Sequence, residues 1–185
     1  MEKSFKIIVL EGPSGVGKDT LMNDLINFAP NKYKKIVSYT NRPKRPCEVE
    51  GREYHFIDTE TFLKKIDNGD IFEHTTRHGT YRGMSRTIID NIINSGFIAI
   101  KDVDVVGKNA LKKAYPNIVK TIFLTADKDI VKKRLLKRGG SDIDIETRLK
   151  DYDHIHKHIN EYDHIIKNNG TPDIAFVEAK KLLEE

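Results

Sequence analysis

The sequence predicts an α/β domain with a mainly parallel central sheet flanked by helices. Three features carry that expectation. Apolar segments of strand length alternate with helix-period stripes along the chain, a glycine-rich loop joins the first such strand to the first helix, and the alternation breaks once, between about residues 40 and 85.

The first strand, Lys6 to Leu10, is apolar after its first residue, the pattern of a strand covered on both faces. Leu21, Leu25 and Phe28 then recur at helical spacing, and Lys35 to Ser38 is the second strand. Beyond it the chain becomes basic and proline-containing, Asn41 to Pro46, followed by a Tyr/His/Phe strand pattern, a short helix and the segment Ile71 to His74. Alternation resumes with an isoleucine stripe, Ile88, Ile89, Ile92 and Ile93, that stops at Gly96, and with the strands Phe97 to Lys101 and Ile118 to Leu124. A Lys/Arg-rich helix leads to Arg138–Asp144, where Gly139 and Gly140 suit a hinge at a helix C-terminus. Another helix runs from about Asp144 to Tyr162, and His164 to Lys167 is the last strand. Thr171 and Pro172 read as N-cap and first position of a final helix carrying Ile174, Val177 and Leu182.

At 185 residues, 38% hydrophobic and 32% charged, without a shift in composition, the chain fits one domain with one core. Its longest apolar runs, Ile7 to Leu10 and Phe97 to Ile100, fall far short of the roughly 20 residues of a membrane helix. The N-terminus does not read as a secretory signal, and the single cysteine, Cys47, excludes an internal disulfide, so a cytoplasmic protein is expected. A net charge of +4 suits anionic partners. The lysines are scattered, and no repeated basic and aromatic pattern occurs, which argues for nucleotides over nucleic acid. His154, His156 and His158 read as solvent-facing rather than as a metal site.

After the first strand comes Gly12-Pro13-Ser14-Gly15-Val16-Gly17-Lys18-Asp19-Thr20. Strand, loop and helix start stand in the order of a phosphate-binding loop, so the fold is expected to be of the P-loop NTPase type with ATP bound here. Glycines let backbone N–H groups turn toward an anion, the helix N-terminus adds positive potential, and Lys18 reaches the terminal phosphates. Asp19 stands where a hydroxyl commonly helps hold Mg²⁺, and Thr20 supplies a hydroxyl one residue later.

The stretch from Ser38 to Phe56 holds a serine, then Arg42 and Arg45, then Glu48, Gly51 and Tyr54-His55-Phe56. With the phosphate loop, it resembles the guanylate kinase family over nearly the whole chain. The two arginines offer planar donors for a phosphate dianion, and Tyr54 can add a hydroxyl. The resemblance implies a core of residues 1–36, 86–126 and 150–185, a GMP-binding insert at about 37–85 and a lid at about 127–149. It implies ATP and GMP or dGMP as substrates, Mg²⁺ as cofactor, and a monomer or homodimer. Glu73 falls where the family reads guanine. A carboxylate only accepts, so it matches guanine's N1–H and N2–H and leaves adenine unsatisfied. Ser38 would help read O6.

Tyr81-Arg82-Gly83-Met84 departs from the family pattern. In an ungapped alignment Arg82 replaces a phosphate-binding tyrosine and Met84 replaces a base-reading hydroxyl, while a one-residue shift would use Tyr81 and Ser85 instead. Asp102-Val103-Asp104 and Gly107 resemble the family's Asp-x-Asp-x-x-Gly, with Asp102 expected to hold Mg²⁺ through water and Asp104 to face the acceptor nucleoside; Val106 stands where glutamine is common. Both carboxylates could instead cap the next helix. Arg134, Arg138 and Arg148 correspond to arginines the family closes over the ATP phosphates. Lys18, Arg42, Arg138 and Arg148 are the expected catalytic groups. The alternatives are another small-acceptor P-loop kinase, such as a ribose 1,5-bisphosphate phosphokinase, and a non-catalytic guanylate kinase-like binding module.

Overall fold

The computed structural model describes residues 5–77, 79–139 and 141–184. In chain order the elements are β1 (Ile7–Glu11), α1 (Lys18–Phe28), β2 (Tyr33–Lys35), β3 (Tyr39–Thr40), β4 (His55–Phe56), α2 (Thr59–Asp67), β5 (Ile71–Arg77), β6 (Thr80–Ser85), α3 (Arg86–Asn94), β7 (Ile98–Asp102), α4 (Val105–Ala114), β8 (Val119–Thr125), α5 (Lys128–Lys137), α6 (Asp142–His156), a 3₁₀ turn (Ile159–Glu161), β9 (His164–Lys167) and α7 (Pro172–Glu184).

The central sheet is ordered β2-β7-β1-β8-β9, with every neighbouring pair parallel. Because successive strand residues point to opposite faces, β1 feeds two cores. Ile8 and Leu10 pack with α1, α5, α6 and α7 through Leu21, Leu25, Val131, Ile145 and Ala179, while Ile7 and Val9 pack with α3 and α4 through Ile89, Ile92 and Leu111. This is the mainly parallel, helix-flanked architecture expected. Ligands of such sheets bind beyond the carboxyl ends of the strands, and both cavities described below lie there. Among the described residues no helix is long and apolar enough to cross a membrane.

The second strand begins two residues earlier than expected and leaves the ladder at Lys35. Ile36 N–H still donates to Ile100 O at 2.9 Å, but Ser38 O already accepts His55 N–H from the other sheet. Ile36 and Val37 are apolar because they are buried, not because they are paired. The chain between β2 and α3 builds a separate four-stranded sheet ordered β4-β3-β6-β5, crossed by α2, whose N-cap Asp58 accepts from Thr61 N–H. Sequence reading found its pieces but not the long β5–β6 pairing, because Thr75, Thr76 and Thr80 give it no apolar alternation.

Three helix expectations need correction. Phe28 is on the surface, edge-on to Phe176. In α7 the buried face is Ala175, Ala179 and Leu183, whereas Ile174 and Val177 are exposed. α6 ends at His156, short of Tyr162. There His156 stacks on Tyr152 at 4.1 Å and shares a 2.7 Å hydrogen bond with Thr125 Oγ1, so it faces inward, and His158 lies beyond the helix, bonded to Glu161. Gly139 has the left-handed conformation (φ 77°) of a helix stop, and Gly140 lies outside the described residues.

Candidate active site

The loop after β1 needs its glycines. Gly12 has φ 145°, and a Cβ there would sit 2.0 Å from the Leu124 carbonyl oxygen; at Gly17 (φ 105°) it would meet Asn168 Nδ2 at 2.9 Å. Any side chain would push the loop off β8 and β9. Lys18 opens α1 and folds back, its Nζ donating to Gly12 O at 2.6 Å and Pro13 O at 3.1 Å. Burial lowers its pKa, opposed by the carboxylates of Asp102, Asp19 and Glu11. An ammonium poorly solvated and surrounded by loop carbonyls is ready to exchange them for phosphate oxygens. Asp19 is exposed.

Beside the loop a cavity of about 420 Å³ is lined by Gly15, Gly17, Thr20, Arg134, Arg138 and Asn168. Arg134 donates to Val16 O and Gly170 O, which ties α5 to the loop. Arg148 crosses from α6 to donate to the Ser14 hydroxyl. Two of the three expected arginines thus touch the phosphate loop, and Arg138 lines the same cavity. Asn168, not anticipated from sequence, donates to Val16 O at 2.8 Å, and its buried Oδ1 has no hydrogen-bond partner among the described residues. Its position just past β9 parallels that of Asp102 at the end of β7.

Glu11, the last residue of β1, is buried and accepts from the Tyr162 hydroxyl. Burial raises its carboxyl to about 7, with Lys108 opposing the shift and Asp104 adding to it. Folding tightens its proton, so the stability it contributes is complete below its ordinary value of 4.5 and is lost as pH rises through about 7. Thermal melts should therefore show the native protein losing stability relative to Glu11→Gln between these values. Parallel curves across that window would show that Glu11 does not titrate there.

On the neighbouring strand end, a second pocket of about 140 Å³ includes Ser38, Glu73, Arg82 and Asp104 in its lining, joined by Met84 and Lys101. These residues lie up to 66 positions apart and meet because β5, β6 and the end of β2 converge on the tip of β7. Burial and Asp104 raise the Glu73 carboxyl, and Lys101 opposes them. Lys101 donates to Ile36 O at 3.1 Å, and burial pushes its ammonium down to about 8. Asp104 also caps α4, accepting from Gly107 N–H at 2.9 Å, so the capping alternative holds for it without removing it from the pocket. Asp102 pairs across from Leu10, beside the loop.

Strand parity decides the Tyr81-Arg82-Gly83-Met84 segment. Arg82 and Met84 face the pocket, while Tyr81 packs on Phe62 and Ser85 caps α3 and bonds Asp70. Tyr81 and Ser85 are therefore not brought to this pocket. Arg42 and Arg82 both lie over the Tyr54 ring, at 5.3 and 5.4 Å. Arg42 is held by Glu48 through two hydrogen bonds of 2.7 and 2.5 Å, which drive Glu48 down to about 2. Arg45 is exposed and meets Glu48 through its backbone, its N–H donating to the carboxylate and its carbonyl accepting from Glu48 N–H. The sequence shows Glu48 only as a member of the arginine-rich stretch.

The chain matches the profile of a family described as guanylate kinase across residues 4–185. A guanylate kinase of Helicobacter hepaticus is 36% identical over 165 residues, spanning 88% of this chain and 82% of that protein. One from Wolinella succinogenes is 34% identical over 179 residues, spanning 96% and 80%. The crystal structure of guanylate kinase from Anaplasma phagocytophilum superposes with a TM-score of 0.68 at 27% identity, over 98% of this chain and 86% of that one.

Proposed function

Because the chain belongs to the guanylate kinase family, we propose that it catalyses in-line transfer of the terminal phosphoryl group of ATP to the phosphate of GMP and of dGMP, with Mg²⁺, as a monomer or homodimer. The observation that carries this reading is the gathering of Glu73, Ser38, Arg82 and Asp104 in one pocket beside the tip of the strand next to the phosphate loop. A hydrogen-bond acceptor, Glu73, and a cation, Arg82, line the same pocket.

The reaction breaks the bond from the terminal phosphorus to the bridging oxygen of ATP and forms one to an acceptor phosphate oxygen, releasing ADP. That oxygen is already ionised near neutral pH, so no general base is required, and catalysis is left to positioning and charge. Lys18, Arg138 and Arg148 neutralise the transferring group. Arg42, Arg82 and Arg45 offset repulsion between two anions, and Glu48 with Tyr54 holds Arg42 ready for the phosphate. Because Glu73 addresses the base and the arginines the phosphate, loss of the ribose 2′-hydroxyl leaves both in place, which supports dGMP as a substrate.

Asp102, an oxygen donor at the strand end with Lys18 and Glu11 around it, fits a hard cation that keeps water and phosphate oxygens as its other ligands. Mg²⁺ there would supply charge neutralisation to the phosphates. The insert at about 37–85 and the lid at about 127–149 would close over the two nucleotides and exclude water. Arg148→Ala should lower kcat about 10- to 100-fold with little change in melting temperature, since its partner in the free protein is a single serine hydroxyl. An unchanged kcat would remove Arg148 from the mechanism.

ADP release should be measured with Mg-ATP and GMP, dGMP, AMP, UMP or ribose 1,5-bisphosphate, against an acceptor-free control. Turnover confined to GMP and dGMP is expected. Activity on the bisphosphate alone, or none with any acceptor, would overturn the proposal.

A further inference from the structure

Lys101 belongs to no part of the expected site, yet it lines the acceptor pocket with Glu73 and Ser38. It stands on β7 one residue before Asp102, where a parallel strand covered on both faces ordinarily carries an apolar side chain. Its ammonium is half-buried, and the hydrogen bond found for it is to Ile36 O, which leaves N–H groups to spend. In the same wall Met84 is almost fully buried and cannot replace a hydroxyl donor. The pocket thus sets an acceptor, Glu73, near a cationic donor, Lys101. Guanine carries the complementary pair on one edge: the N1–H and N2–H donors and, next to N1, the O6 acceptor with two lone pairs.

We propose that Lys101 donates a hydrogen bond to guanine O6, beside Ser38, and so restores the base-reading contact that Met84 removes. This rests on the reading of the pocket as the GMP site. It makes Lys101 a specificity-determining residue in contact with substrate, and it explains why a costly half-buried charge sits on a core strand. A hydrogen bond from a charged group to a partly desolvated acceptor corresponds to roughly a tenfold effect or more.

The test compares GMP with 6-thio-GMP, which keeps N1–H and N2–H but offers a much weaker acceptor at position 6. Steady-state KM and kcat would be measured for the native protein and for Lys101→Met, an apolar side chain of similar length, and Lys101→Gln, which retains an N–H donor. In the native protein KM should be about tenfold lower for GMP than for the thio analogue. Lys101→Met should raise KM for GMP about tenfold with kcat within about twofold, and should shrink the preference for GMP over the thio analogue to the part that Ser38 sustains. Lys101→Gln should recover part of the preference.

If Lys101 only fastened β2 to β7 or balanced the charge of Glu73, both acceptors would weaken by the same factor in Lys101→Met, and that result would overturn the proposal. So would a KM for GMP unchanged in that variant. Should Lys101→Met fail to fold, the native and Lys101→Gln preferences decide the matter, and an equal preference in the two sinks it. Failure of the native protein to phosphorylate GMP at all would instead refute the site assignment, and that control is read before any variant.

Discussion

Lys18→Ala is expected to lower kcat about a hundred- to a thousandfold, the loss that follows removal of one preorganised charge from the developing transition state. The side chain is half-buried at the start of α1, its charged form sustained by Asp102, Asp19 and Glu11, and it holds two loop carbonyls that phosphate oxygens would displace. Alanine keeps the helix start, being the best helix former, so the melting temperature should fall only slightly. Single-turnover phosphoryl transfer at saturating ATP and GMP isolates the effect. A rate within about tenfold of native would mean that the loop binds ATP without Lys18 stabilising the transfer.

Glu73→Gln should turn a guanine site into a poorly discriminating purine site. In the proposed guanine site the carboxylate would accept from both N–H groups of guanine, and it would offer adenine's unprotonated N1 no donor. The native preference for GMP over AMP is expected near 10⁴, as for sites that leave a buried polar group unpaired by the wrong ligand. An amide accepts with its oxygen and donates with its nitrogen, so it satisfies N6–H and N1 of adenine and turns an N–H toward an N–H of guanine. The kcat/KM for GMP should drop about a hundredfold, or ~2.7 kcal/mol, and the preference should shrink to within about tenfold. The same ratio measured on both proteins with AMP and GMP decides the point. If the preference survives intact, the base is read by Ser38 and Lys101 alone. Glu73 carries a raised pKa in the free protein, from burial and from Asp104.

What was legible in the sequence were features with a short local code. The phosphate loop is contiguous, so glycine spacing, Lys18 and the flanking strand and helix reveal it without tertiary information. The core strands β1, β7 and β8 show because they are covered on both faces and run apolar for several residues, and the arginine-rich stretch from Arg42 to Tyr54 stands out by composition. Fold class and family follow from these.

The acceptor pocket was only partly legible, since its walls come from four separate segments. Whether Tyr81 or Arg82 faces it depends on the register of β6 against β3 and β5, where a one-residue slip reverses every side chain and the threonine-rich sequence is nearly indifferent between the two. Lys101 reads as the polar end of a strand until the peeling of β2 brings Ile36 O and the pocket beside it. Asn168 and Glu11 are ordinary residues until β9 and β1 are placed under the loop. Local sequence thus determined the phosphate-binding element, the fold class and the family. The tertiary structure decided which charges are buried together, because desolvation and pairing depend on distances between segments that the sequence holds far apart.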